Sequence, residues 1–460
     1  MNKHTQALWG LDLRCKQFSS TKMGIPRTAL PITNEEVRQF CLRYFKETFD
    51  ENLRVIRYEV TSTEDNLRGY LGKHQYLNAL VERRTESGIS EDKARFFIKS
   101  SRQGRTSQKE YLDEFGVFKK ETFVYNYVIP RLQAINLGSE YFAPKCYLAK
   151  NDVLVFENLS QQGFRVVPRQ DGLLDFDHLV CILKSLATMH AASIVLEVKT
   201  HKLISEIYKT AVEENSYPIN PLHVRSLVFK KAVEALGEMI KNIPKYKDSP
   251  ELCRILISLP NVLGRIFELC KPSRRWKNTF LHGDLWANNL LFKYSKEIID
   301  GHQKPVECRM VDFQLARYAP PTLDVMTILT ISTSRSFRDE HLNTLLDTYY
   351  TSLEQSLSKH DVNINEMITK FDFEESAKHY KLAGLIESCL LSHLVILPRQ
   401  FFSDLLRNSD NFDELLTKHR TEFCLKAFES DPIYQERMTD MLVELVDSFV
   451  LGLSPSITKV

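Results

Sequence analysis

The sequence predicts an α+β fold with two lobes, a small lobe that combines a β-sheet with helices and a larger, mainly helical lobe. Two short segments, residues 75–83 and 95–100, are rich in aromatic and β-branched residues and are typical of strands. From about residue 172 onward, helical periodicity dominates instead. This helical part contains two apolar runs, 290–294 and 307–313, joined by a polar loop with glycine and proline, which is typical of a hairpin.

The remaining elements follow from the same patterns. A helix is predicted over residues 115–132 and a buried strand over 152–157. The helices predicted in the second part of the chain are 176–197, 224–241, 340–358, 374–397 and 434–453. We therefore expect an N-terminal extension over residues 1–35, a small lobe over 36–158 and a helical lobe over 159–460.

The composition is that of an ordinary globular protein. The 460 residues include 61 Lys and Arg against 59 Asp and Glu, and 43% are hydrophobic. These values exclude a disordered or collagen-like chain. The net charge is only +2, whereas a nucleic-acid-binding protein typically has a clear excess of basic residues. The length suits two or three domains or one large bilobal enzyme.

No membrane segment is predicted, and the expected compartment is the cytosol. The most apolar stretch, residues 382–397, is interrupted by Glu387 and His393 and ends before Pro398, so a buried helix is the better interpretation. Residues 1–21 lack the apolar core of a secretory signal, and their scattered basic residues leave a transit peptide as the alternative. Nine cysteines without a C-x-x-C pair do not indicate a disulfide or zinc framework.

The most specific pattern is H-G-D-L-W-A-N-N at residues 282–289, followed by V-D-F-Q at 311–314. Asn289 stands where the first hairpin strand begins and Asp312 where the second ends, so antiparallel pairing would make them neighbours. Their amide and carboxylate oxygens suit a hard cation such as Mg²⁺, which is typically shared with substrate phosphates. Asp284, in the loop just before, is then the candidate to accept a proton from an attacking hydroxyl.

Two other residues of this pattern have a structural interpretation beside a functional one. We expect His282 to brace the loop by hydrogen bonding rather than to take part in the chemistry. Trp286 is expected to pack rather than to form a platform for a substrate.

The spacing H-x-D-x4-N with a later aspartate resembles the catalytic arrangement of protein-kinase-like phosphotransferases. D-F-Q departs from the D-F-G of protein kinases and is similar to kinases of small metabolites, such as choline kinase and the aminoglycoside phosphotransferases. The full strings resemble the ecdysteroid-kinase-like family, also described as choline-kinase-like. This resemblance covers roughly residues 60–400. It implies a bilobal protein-kinase-like fold that uses ATP and Mg²⁺, with Asp284 as catalytic residue and Asn289 and Asp312 as metal ligands.

The same resemblance assigns the phosphate-binding residues of the small lobe. F-F-I-K at 96–99 resembles the strand whose lysine, here Lys99, contacts the α and β phosphates. F-K-K-E-T-F-V-Y at 118–125 resembles the helix whose glutamate, here Glu121, pairs with that lysine; a surface ion pair without catalytic role is the alternative. Gly69 and Gly72 precede a strand and would let backbone N–H groups approach phosphate, although a plain turn fits nearly as well.

Three further segments resemble the family's pattern. V-L-V-F-E-N-L at 153–159 resembles the connector between the lobes, in which the backbone from Glu157 to Leu159 would receive the adenine edge. His190, in L-A-T-M-H-A-A-S, is expected to be a satisfied core histidine. Asp324 resembles a buried aspartate that braces the catalytic loop, with a helix N-cap as the alternative.

The predicted function is phosphoryl transfer from ATP to a hydroxyl of a small-molecule acceptor. The resemblance points to an ecdysteroid-like sterol or a xenobiotic alcohol. The alternatives are a choline- or aminoglycoside-type kinase and a catalytically silent hormone- or lipid-binding protein of the same fold. A protein kinase is disfavoured because no A-P-E sequence follows Asp312. No nucleic-acid or membrane partner is expected, and the sequence leaves the oligomeric state open.

Overall fold

The chain divides into two compact units. The smaller is formed from residues up to Ser101 together with Cys146–Asn158, and the larger from Arg102–Lys145 together with the chain from Leu159 onward. The computed structural model describes residues 31–47, 52–63, 72–86, 88–101, 112–135, 141–150, 152–167, 169, 171–218, 220–299, 302–398 and 415–453.

The smaller unit is a five-stranded antiparallel sheet with a helix packed on it. Its elements are the helix Asn34–Phe45 (α1) and the strands Leu53–Ser62 (β1), Lys73–Thr85 (β2), Gly88–Ser100 (β3), Cys146–Lys150 (β4) and Val153–Glu157 (β5). The strand order is β1-β2-β3-β5-β4. Thr33 and Glu36 form a capping box that starts α1, and the rings of Phe40 on α1 and Phe96 on β3 lie 5.9 Å apart.

The position of β5 explains its sequence. It lies between β3 and β4, and its residues from Val153 to Val155 are fully buried. A strand covered on both faces has a continuous apolar run instead of an alternating one. This arrangement confirms the buried strand predicted over 152–157, and the strands predicted over 75–83 and 95–100 lie within β2 and β3.

The larger unit is mainly helical. Its helices are Val117–Phe123 (α2), Ile129–Ile135 (α3), Phe176–Thr200 (α4), Val224–Asn242 (α5), Leu252–Gly264 (α6), Thr322–Ile331 (α7), Arg335–Ser358 (α8), Lys370–Val395 (α9), Arg420–Ser430 (α10) and Pro432–Leu445 (α11). A π-helical segment, Val124–Val128, joins α2 to α3, and others are Leu415–His419 and Val446–Val450. One-turn helices are Ile204–Ile207, Lys209–Val212, Pro244–Lys247, Ile266–Leu269 and Ile364–Met367.

Two strand pairs interrupt these helices. The hairpin consists of Leu290–Ile299 (β7) and His302–Met310 (β8), and a shorter pair consists of Thr279–Leu281 (β6) and Arg317–Ala319 (β9). Both pairs are antiparallel. The hairpin predicted at 290–294 and 307–313 is confirmed, but its strands extend to Ile299 and the second strand ends at Met310.

The core of the larger unit is formed around α4, which packs along α8. In the described part of the chain, α4 is the one helix that is long and apolar enough to cross a membrane, and 83% of its most apolar stretch is buried inside the protein. A helix that is apolar on every side and covered by its neighbours is a core helix. The apolar stretch 382–397, predicted as a buried helix, forms most of the second half of α9.

The structure confirms the predicted α+β class, with the sheet in the smaller unit and helices dominating the larger. The predicted helices 176–197, 224–241, 340–358, 374–397 and 434–453 correspond to α4, α5, α8, α9 and α11 with the π-helical segment that follows. Of the predicted small lobe, the described residues 112–135 and 141–145 belong to the larger unit.

The cysteines form no disulfide within the described residues. Eight of the nine lie there, and all eight are free thiols, most of them buried. Burial raises the pKa of the Cys41 thiol to about 12, which keeps it in the unreactive protonated form.

Candidate active site

Two strand pairs bring the predicted catalytic segments together. Residues 282–289 connect β6 to β7, and residues 311–316 connect β8 to β9. Leu281 pairs with Arg317 at one end of these connections, and Leu290 pairs with Met310 at the other. Both connections are therefore held at both ends, and they lie side by side.

The predicted catalytic residue, Asp284, is buried and lies at the centre of a hydrogen-bond network. Its Oδ2 accepts a hydrogen bond from Nε2 of Gln314 at 3.1 Å. Its backbone carbonyl accepts one from Nδ2 of Asn289 at 2.8 Å. Asp284 is thus hydrogen-bonded to one predicted metal ligand, Asn289, and to Gln314, which lies two residues after the other predicted ligand, Asp312. The bond from Gln314 fixes the orientation of the carboxylate.

The two predicted metal ligands are brought together by the hairpin. The backbone N–H of Val311 donates to the carbonyl of Asn289 at 3.0 Å, which places Asp312 one residue beyond that contact. Asp312 has a φ of +71°, in the left-handed region, and this turns the chain away from the strand direction. The predicted convergence of residues 289 and 312 agrees with this register.

The donor set suits Mg²⁺. Because Nδ2 of Asn289 donates to Asp284, the amide presents its oxygen, Oδ1, on the other side. Mg²⁺ is commonly held by one or two protein oxygens and completes its octahedron with water and phosphate. In the described part of the chain, no three His, Cys, Asp or Glu side chains form a metal-binding group. One carboxylate and one amide are a donor set of the size that a phosphate-bound Mg²⁺ requires.

His282 braces the loop, as expected. Its Nε2 donates to the carbonyl of Val311 at 2.9 Å, and its Nδ1 accepts from the N–H of Asp284 at 3.2 Å. These partners require the neutral ring protonated on Nε2. Burial lowers the pKa of His282, which favours that neutral form.

Asp324 supports the same loop from α7. Its two carboxylate oxygens accept the N–H groups of His282 at 2.7 Å and Gly283 at 3.1 Å. Nε2 of His190 lies 3.4 Å from Oδ2, and Nδ1 of His190 contacts the hydroxyl of Tyr349 at 2.7 Å. Burial alone would raise the pKa of Asp324, but the contacts with both histidines hold it below its ordinary value. The bracing interpretation is confirmed, and the N-cap alternative is wrong because Asp324 lies inside the first turn.

The D-F-Q segment is packed by aromatic rings. The Phe313 ring lies 4.5 Å from His282 and 5.7 Å from Tyr125, measured between ring centroids. Tyr125 follows α2, the helix that carries Glu121. Glu121 is 1% exposed. The helix that bears the predicted glutamate is therefore packed, through Tyr125, against the D-F-Q segment within the larger unit.

In the smaller unit, Lys99 lies near the end of β3 and its side chain is buried. Gly72 lies beside it, just before β2. A Cβ added at Gly72 would lie 3.3 Å from Cγ of Lys99 and 3.5 Å from the carbonyl oxygen of Ser100. Because residue 72 has no side chain, its backbone can lie directly against the side chain of Lys99. Its role in binding phosphate stays a prediction.

The other predicted nucleotide-binding residues have the following positions. Glu157 ends β5, and Leu159 is buried at the start of a 3₁₀ turn, Leu159–Gln162. Gly69 lies outside the described residues. Lys99 belongs to the smaller unit and Glu121 to the larger, and their pairing stays a prediction.

Comparison with known proteins decides the family. The model of the ecdysteroid kinase-like family matches residues 70–362, well over half of the chain. The chain belongs to the ecdysteroid kinase-like family. No curated protein sequence matches it.

Solved structures are similar to this family member at low identity. A choline/ethanolamine kinase family protein from Mesorhizobium loti is 9% identical, with a TM-score of 0.32, over 80% of this chain and 90% of the other. A microcompartment-associated aminopropanol kinase is 12% identical, also with a TM-score of 0.32, over 86% of this chain and 100% of the other.

Sequence reasoning missed two residues of this kinase-like site. Gln314 was noted only as a departure from D-F-G, whereas its amide holds Asp284. Lys120 was passed over, whereas it is 4% exposed and contacts the segment after D-F-Q. The buried positions Val117, Lys120 and Val124 follow helical spacing, so the pattern of α2 contained a signal for a buried lysine.

Proposed function

We propose that this member of the ecdysteroid kinase-like family transfers the γ-phosphoryl group of ATP to a hydroxyl of a small molecule. The observation that carries the proposal is the network in which Gln314 fixes the carboxylate of Asp284 while Asn289 holds its backbone. Catalysis of phosphoryl transfer depends on positioning and charge neutralisation rather than on covalent chemistry. A buried, fixed carboxylate beside two oxygen ligands meets that requirement.

Each residue then has a defined role. Asp284 accepts the proton of the acceptor hydroxyl while the acceptor oxygen forms its bond to the γ-phosphorus, and the bond from that phosphorus to the β-phosphate bridging oxygen breaks to release ADP. Asn289 and Asp312 would hold Mg²⁺, which supplies neutralisation of phosphate charge when bound. Lys99 would contact the α and β phosphates, and Glu121 would orient Lys99.

We propose an ecdysteroid-like sterol or a xenobiotic alcohol as the acceptor. Membership of the ecdysteroid kinase-like family supports this choice. A sterol alcohol requires a largely apolar site with few polar anchors, whereas a quaternary ammonium requires aromatic and acidic side chains. We also propose that the protein acts in the cytosol, which the eight free thiols support.

The test combines nucleotide binding with turnover. Purified protein is incubated with ATP, Mg²⁺ and a panel of sterols, choline and aminoglycosides, and ADP release is measured. Asp284→Asn should lose at least about 10³-fold in kcat, because the base is removed, while its affinity for ATP changes little. Near-normal kcat in Asp284→Asn would refute the assignment of the base.

Variants of two adjacent asparagines, Asn288 and Asn289, test whether Asn289 is a metal ligand. Asn289 is buried and its side chain is hydrogen-bonded to the backbone of Asp284, whereas Asn288 is exposed. Asn289→Ala should raise the Mg²⁺ concentration needed for half-maximal rate, and Asn288→Ala should behave like the wild type.

Tight binding of an acceptor without any affinity for ATP would instead indicate the catalytically silent binding protein.

A further inference from the structure

Lys120 is a buried lysine whose ammonium group connects three separate segments of the larger unit. It lies on α2 and is 4% exposed. Its Nζ donates to the carbonyl of Ala316 at 2.8 Å, to Oδ1 of Asn215 at 2.9 Å and to the carbonyl of Glu213. An ammonium has three N–H groups, and each has an acceptor here.

The contact with Ala316 reaches the catalytic segment. Ala316 follows Gln314 by two residues and Asp312 by four. Gln314 in turn holds the carboxylate of Asp284. The hydrogen bond from Lys120 to Ala316 therefore adds an anchor to the short connection that carries both a predicted metal ligand and the partner of the predicted base.

The contacts with residues 213 and 215 fix a second segment, Glu213 to Tyr217. Oε1 of Glu214 accepts the N–H groups of Ser216 and Tyr217, and its Oε2 lies 3.4 Å from Nε of Arg317. Arg317 starts β9, directly after Ala316. Lys120 thus holds two neighbouring segments that also contact each other.

The charge state of Lys120 bears on this arrangement. Burial lowers the pKa of its ammonium to about 7, and among the charged neighbours Glu214 and Glu213 raise it while Arg317 lowers it. A neutral amine has two N–H groups and a lone pair, so it cannot serve three acceptors. Loss of the proton would remove one of the three bonds.

We propose that Lys120 is a positioning residue that fastens α2, the segment 213–217 and the D-F-Q connection into one unit. It acts through Ala316 and Gln314 and does not touch the reacting groups. The neighbouring Lys119 is exposed and provides a matched control on the same helix. The activity part of this inference rests on the proposed function, whereas the structural part does not.

Hydrogen exchange followed by mass spectrometry tests the structural part on the full chain without nucleotide. In Lys120→Met, the amides of residues 213–217 and 313–318 should exchange at least about tenfold faster than in the wild type, whereas Lys119→Met should leave them unchanged. After correction for intrinsic rates, wild-type exchange in both segments should rise from about pH 6 to about pH 8, and this rise should be absent in Lys120→Met. If the amides of both segments exchange in Lys120→Met at the same rate as in the wild type, the proposal is overturned.

Two further measurements keep the proposal testable. If Lys120→Met does not fold, Asn215→Ala removes one acceptor and should raise exchange in residues 213–217; unchanged exchange there would overturn the proposal. With an active acceptor, Lys120→Met should lower kcat about 10- to 100-fold with little change in the KM for the acceptor, and unchanged kcat would equally overturn it. If the wild type has no phosphotransferase activity, the proposed function fails, and the exchange data alone decide the role of Lys120.

Discussion

Replacing Gly283 with alanine should disable the predicted catalytic loop, because the structure has no room for a methyl group there. The added Cβ would lie 2.1 Å from the carbonyl oxygen of Leu315 and 3.2 Å from Nε of Arg317. Gly283 also has a φ of +76°, in the left-handed region that glycine adopts without strain. Either the loop or the D-F-Q connection must therefore move by about 1 Å to restore ordinary contact distances.

The size of the effect follows from what that movement breaks. The left-handed backbone costs about 1–2 kcal/mol for alanine. Two hydrogen bonds to carboxylates are at risk, Gly283 to Asp324 and Gln314 to Asp284, and each contributes about 1.5–3 kcal/mol. If both bonds break, these costs add to a loss of about 4–8 kcal/mol in the free energy of unfolding. If the loop shifts and keeps its bonds instead, misplacement of Asp284 should lower kcat by about 10²-fold.

Thermal unfolding and steady-state kinetics together measure this prediction. Gly237→Ala is the control, because Gly237 lies in α5 and an added Cβ would meet only side-chain atoms of Leu256 and Leu259 at 3.8 and 3.9 Å. Alanine favours a helix interior over glycine by about 0.5–1 kcal/mol, so this variant should be slightly stabilised and fully active. Wild-type Tm and kcat in Gly283→Ala would refute the reasoning from the close contact at Leu315.

Three other predictions concern the larger unit. Asp324→Asn should lower the free energy of unfolding by about 1–3 kcal/mol and reduce kcat. The reason is that the new amide NH₂ would face the N–H donor of either His282 or Gly283. Chemical denaturation measures the first effect and steady-state kinetics the second. Gly384→Ala should lower the Tm, at a cost of about 1–3 kcal/mol, because its Cβ would lie 2.6 Å from the carbonyl oxygen of Met326 where α9 meets α7. Burial lowers the pKa of His393 from 6.5 to about 3, so the unfolded chain binds the proton more readily and the free energy of unfolding should fall by about 2 kcal/mol from pH 7 to pH 5. Urea titrations at the two pH values should show a shallower dependence in His393→Gln, and an equal dependence would contradict this assignment.

The hairpin shows what the sequence could predict. The distance between Asn289 and Asp312 along the chain and the two apolar runs were enough to predict that these residues lie together, and the pairing of Leu290 with Met310 agrees. Strand pairing is a local consequence of sequence spacing, so such convergence can be predicted. The second strand ends at Met310, three residues before the predicted end at 313, and the left-handed φ of Asp312 lies in the connection that follows it.

Helix starts can be predicted from capping residues, as α8 shows. The helix predicted to begin at residue 340 begins at Arg335, because the hydroxyl of Ser334 accepts the N–H of Phe337 and caps it. Serine before a helix is a recognisable start signal. Lys120 differs, since only its position on the buried face of α2 distinguishes it from Lys119. Its three acceptors come from segments about 95 and 196 residues away, which no local pattern predicts.

The glutamine of D-F-Q links the predicted base, Asp284, to the segment that carries the predicted metal ligand, Asp312, within the larger unit. Gln314 and Asp312 belong to one short connection held at Met310 and Arg317 by the two strand pairs. The amide of Gln314 holds the carboxylate of Asp284, so this hydrogen bond joins the predicted base to the connection that carries the predicted metal ligand. A glycine at residue 314 would provide no such bond. We infer that the departure from D-F-G is a structural feature of this site, because the side chain of Gln314 ties the connection that contains Asp312 to the carboxylate of Asp284.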